Sequence, residues 1–128
     1  MVEKQEEKVQ LLLERQKKLE RDIEQLDEVR KKQEQFEEEV TESMGEVMYY
    51  LRETLDLASS PTDSKETNEL IDDVRISLSK FQGEMDEQRS FLKQEENRLL
   101  SDLDETRVAC IREEIRLEED SRKEISHG

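Results

Sequence analysis

Tryptophan is absent from these 128 residues, proline, cysteine and histidine occur once each, and glycine occurs three times. Each shortage closes a route. A lone Cys110 permits no internal disulfide. With Gly45, Gly83 and Gly128 as the only glycines, no phosphate-cradling loop can be built. The one histidine, His127, is the penultimate residue and is expected to fray or to interact with a helix C-terminus. A metal site would need carboxylates alone, and no histidine stands three residues from an inward glutamate as in di-iron bundles. The reading is therefore no enzyme, no cofactor and no metal. Hydrophobic residues make up 31% and aromatics 4%, too little to wrap a globular core of ordinary thickness. No window approaches 18 apolar residues, and the start Met1-Val2-Glu3-Lys4-Gln5-Glu6-Glu7 lacks the apolar stretch of a secretory signal. A cytoplasmic location is expected, or export with a cargo and without a cleaved signal.

Charge is what the chain has in abundance: 45% of residues are charged and the net charge is -15. Both signs interleave, with Glu14 and Lys18, Asp27 and Lys31, and Glu118 and Arg122 at i,i+4, the pattern of a solvated helix face. The acid excess repels phosphate backbones and anionic lipid, so neither nucleic acid nor a membrane surface is expected as a partner.

The sparse apolar residues are regularly placed. One run passes through Val9, Leu12, Leu19, Ile23, Leu26, Val29, Phe36, Val40, Met44, Val47, Leu51 and Leu55. A second passes through Ile71, Val74, Leu78, Phe81, Met85, Leu92, Leu99, Leu103, Cys110 and Leu117. Steps of three and four give each segment one narrow helical stripe that another helix must cover. A disordered acidic segment has no reason to keep such spacing. Between the runs lies the breaker Ala58-Ser59-Ser60-Pro61-Thr62-Asp63-Ser64, with the only proline. The predicted fold is all-α: one elongated, coiled-coil-like antiparallel hairpin over residues 1–128, with helix 1 about 3–57, a turn at 58–63 and helix 2 about 64–125. At about 1.5 Å per residue each helix would run roughly 80 to 90 Å. Two start signals compete: Ser60 with Pro61 and Asp63, and the capping box Asp63-Ser64-Lys65-Glu66.

Closing the hairpin sets Met44, Val47, Met48, Leu51 and Leu55 against Leu70, Ile71, Val74, Leu78 and Phe81, predicted to be the densest apolar zone. The open end pairs Val9, Leu11, Leu12, Leu13 and Leu19 with Leu99, Leu100, Leu103, Val108, Ile111, Ile115 and Leu117. Halfway along, Arg30, Gln33 and Glu37 would face Gln88 and Glu95, a poor and looser stretch of seam. Cys110 is expected as a small buried thiol. Gly45 and Gly83 mark either close helix approach or tolerated weak points.

Several stretches carry more apolar surface than one seam uses. Leu11, Leu12, Leu13, Tyr49, Tyr50, Leu100, Ile111, Ile115 and Leu117 are the candidate partner-binding residues. The stretch Phe91-Leu92-Lys93-Gln94-Glu95-Glu96-Asn97-Arg98-Leu99-Leu100, in an acidic, tryptophan-free helix-turn-helix chain, resembles the small helical accessory proteins of LXG toxins in Gram-positive type VII secretion systems. The resemblance implies an adaptor or chaperone that binds the helical N-terminal toxin domain, with a second small helical protein as a further partner, and targets the toxin for export. The chain has no Trp-x-Gly turn, and Tyr49 with Glu53 and Phe91 with Glu95 end in glutamate where an export motif has aspartate. It is cast accordingly as the partner without the export signal. Two alternatives stay open: a homodimeric coiled-coil spacer or tether, and an acidic regulatory inhibitor of a basic protein.

Overall fold

The computed structural model describes residues 2–127, apart from the side chains of Val2, Gln5, Ser126 and His127; the reading of His127 therefore lies outside the described residues. Two helices account for the described chain, α1 (Val2–Asp56) and α2 (Pro61–His127), and they pack against each other with no strand. The chain is an all-α helical hairpin. No described helix is long and apolar enough to cross a membrane.

The turn shows which start signal wins. The Asp63 amide donates to Ser60 Oγ at 3.1 Å and the Ser64 amide to the Ser60 carbonyl at 3.1 Å. Ser60 is thus the N-cap, Pro61 opens the helix where its missing N–H costs nothing, and Asp63 lies in the first turn. Helix 2 begins at Pro61, three residues before the expected 64, because the serine cap satisfies amides that the later capping box would leave exposed. No described residue has positive φ, so the turn does without glycine.

The fold divides into two compact units, Met1–Glu28 with Lys93–Gly128, and Val29–Leu92. In the first unit Lys8 Nζ lies 3.1 Å from Glu113 Oε1, and Arg107 Nη2 lies 3.3 Å from Glu20 Oε1. Rising numbers on α1 meet falling numbers on α2, which makes the pairing antiparallel. Leu19, Leu99 and Leu103 form its buried cluster, with Ile23 and Leu26 packed against them. In the second unit Phe36 meets Phe81 edge to face at 5.9 Å between ring centres, Gln33 Nε2 donates to the Met85 carbonyl at 3.3 Å, and Arg89 pairs with Glu37.

Three expectations need correction. The compact apolar cluster sits at Leu19, Leu99 and Leu103, not beside the turn. Near the turn the polar Thr67 occupies a buried seam position, while Leu70 and Val47 remain exposed. Val29 and Phe36 also keep half their surface in water, Phe36 even while its ring touches Phe81 across the helices. Finally, Met48 takes the seam place expected of Val47. Alternating steps of three and four average 3.5 residues, a helix turns every 3.6, and an extra step of four, from Val40 to Met44 to Met48, restores the phase. The same reset occurs on α2 from Glu95 to Leu99 to Leu103.

Candidate functional site

In the first unit, Leu12, Leu19, Leu99, Thr106 and Cys110 face the seam, buried or half-buried. Glu20 follows Leu19 and Arg107 follows Thr106, and these two side chains meet across the helices. Residues one step after a seam position, on either helix, thus share one flank of the hairpin. Leu13, Leu100 and Ile111 are three such residues, after Leu12, Leu99 and Cys110, and all three are exposed. Leu11 precedes its seam neighbour and stands on the opposite flank. Val108 and Ile115 lie further round α2, toward its outer side.

An apolar strip therefore runs along α2 outside the seam, through Leu100, Val108, Ile111 and Ile115, with 46%, 41%, 56% and 49% of their surfaces in water. Four branched side chains on one face of a helix this polar make a patch rather than scattered singles. Val108, expected in the open-end seam with Leu11, Leu13, Leu100, Ile111 and Ile115, is exposed as they are, because none of them lies on the stripes through Leu12 and Leu19 or through Leu99, Leu103 and Cys110. Its signal is a second periodicity, three residues before Ile111 and seven before Ile115, offset from the main stripe.

Of the sequence-predicted contact residues, Leu11, Leu12, Leu117, Tyr49 and Tyr50 do not belong to this strip. Leu12 and Leu117 are half-buried in the seam, since helical spacing places them on the stripe with Leu19 and with Cys110. In the second unit Tyr49 and Tyr50 are both exposed. In the same unit Phe36, Val40, Met44 and Val47 line an open groove along α1, together with Glu39 and Ser43.

Electrostatics frames these surfaces without defining a reactive centre. Glu113 is a buried carboxylate on the seam, held by Lys8 and, at 3.0 Å, by Arg116. Burial, then the Glu114 carboxylate 3.8 Å from its Sγ, pushes the Cys110 thiol up from the ordinary thiol range. Hydrogen bonding to Asp86 raises Arg89, and hydrogen bonding to Glu95 raises Arg98. Among the described residues no group of three or more histidine, cysteine or carboxylate side chains could hold a metal ion. No protein-family model, curated protein or solved structure matches this chain.

Proposed function

We propose that this chain is a non-enzymatic helical adaptor that docks on the helical N-terminal domain of a type VII-secreted LXG toxin and helps target it for export. One observation supports the reading above the others: the exposed apolar strip on α2, with Leu13 on the adjoining flank, is uncovered by the hairpin's own packing. An amphipathic helix laid along it would bury side chains of its own, as in helix-in-groove recognition. The acidic surface favours a cargo face that is neutral or basic around its apolar stripe.

Co-purification of the full chain with an untagged LXG N-terminal domain tests the reading. Capture is expected with the native chain and is expected to fall at least about tenfold for a Leu13→Glu, Ile111→Glu double variant that stays helical by circular dichroism. Leu12 is unsuitable for this purpose, because its half-buried place on the seam makes a charge there a test of folding. Docking through apolar stripes persists from about 0.05 to 0.5 M salt, whereas an acidic inhibitor of a basic protein would let go over that range. Undiminished capture by the double variant, or no capture by the native chain, rejects the proposal.

A further inference from the structure

The central part of the outer strip of α2, Val108 to Ile115, is flanked by charges, with Leu100 one turn beyond Asp104. Asp104 stands one turn before Val108, and Glu118 and Arg122 follow Ile115. Positions 104, 108, 111, 115, 118 and 122 advance by alternating steps of four and three, the spacing by which a helix offers one face to another. They are also symmetric about residue 113: 104 and 122, 108 and 118, and 111 and 115 are equally distant from it. A second copy of α2 laid antiparallel about a two-fold axis at that point therefore meets itself in register. Ile111 falls opposite Ile115 at the centre, Val108 opposite the stem of Glu118, and Asp104 opposite Arg122 at both ends.

We propose that this strip is a self-association surface, on which two copies of the chain pair antiparallel through residues 104–122 of α2. Charge selects the occupant. Asp104 and Arg122 are exposed and form no ion pair among the described residues, and an identical antiparallel helix supplies each with its opposite. An unrelated apolar helix would cover the isoleucines and leave both charges idle. The pairing requires only copies of this chain and stands or falls without any toxin domain. A cargo helix that seats on Ile111 meets the same strip and would compete with the second copy.

Sedimentation velocity on the purified full chain over about 1 to 200 µM decides the matter. The native chain is expected to shift from monomer to dimer with concentration. Asp104→Arg and Arg122→Asp, each alone, set like charges opposite one another and are expected to weaken the dimer at least about tenfold. Their equimolar mixture is expected to restore it, because each variant supplies the charge the other lacks at both ends. Circular dichroism of the separate variants shows whether they remain helical, and rescue on mixing cannot come from misfolded chains. A native chain monomeric throughout, variants that dimerise as well as the native chain, or a mixture no tighter than its components would overturn the proposal.

Discussion

At the residue scale, small groups in a two-helix seam decide what water reaches. A Cβ built on Gly45 or on Gly83 meets nothing within 4 Å, and neither glycine has positive φ. Of the two roles open to them, close helix approach is thereby removed. Gly45→Ala and Gly83→Ala should each stabilise the fold by about 1 kcal/mol. In thermal unfolding that corresponds to a rise of about 3 to 5 °C per substitution. Cys110, expected as a buried thiol from its place on the stripe, has 4% of its surface exposed. Because its folded pKa is raised, the proton is held more tightly in the folded state. The associated stability is complete below the unfolded value of about 8.5 and is lost as pH climbs through the higher folded value. A thiol reagent at pH 8 should therefore label the native protein far more slowly than the denatured one, and equal rates would show that Cys110 is not buried.

At the scale of the element, the periodic runs were legible because steps of three and four leave a helix no other way to hide its few apolar groups. Leu19, Ile71, Met85, Leu99, Leu103 and Cys110, all on the predicted stripes, are buried. What periodicity could not reveal was the polar membership of the seam. Thr67, Thr106 and Glu113 are buried too, and no hydropathy pattern marks them. Thr106 is accommodated by its hydroxyl, which donates to the Asp102 carbonyl at 2.7 Å, and Glu113 by its two cations. The energetic contrast between seam and strip is measurable. Leu103→Ala, inside the Leu19 and Leu99 cluster, should cost about 2 to 3 kcal/mol, while Ile111→Ala on the open strip should stay within about 0.5 kcal/mol. Urea unfolding followed by circular dichroism at low protein concentration would compare them.

At the scale of the whole molecule, the excess of 36 acidic over 21 basic residues sets the sign of the salt response. The cross-helix pair of Arg107 with Glu20 lies between side chains about half in water and is worth little there, while Glu37 of the Arg89 pair and Glu113 are more enclosed. Self-repulsion among the surplus acids is expected to outweigh such pairs. Raising salt from about 0.01 to 0.15 M should therefore raise the unfolding temperature by screening, and a fall would mean that the ion pairs dominate.

The sequence by itself determined an all-α hairpin: two apolar stripes must cover each other, and a turn this short can only return the chain antiparallel. Tertiary structure decided which residues the seam admits. Leu13, Ile111 and Ile115 stayed outside it, Met48 replaced Val47, and the apolar cluster formed away from the turn. The physical reason is a small mismatch. A stripe stepping by 3.5 drifts against a helix of 3.6 residues per turn, and only the pairing of two particular helices settles where the extra step of four falls and which side chains remain outside for a partner.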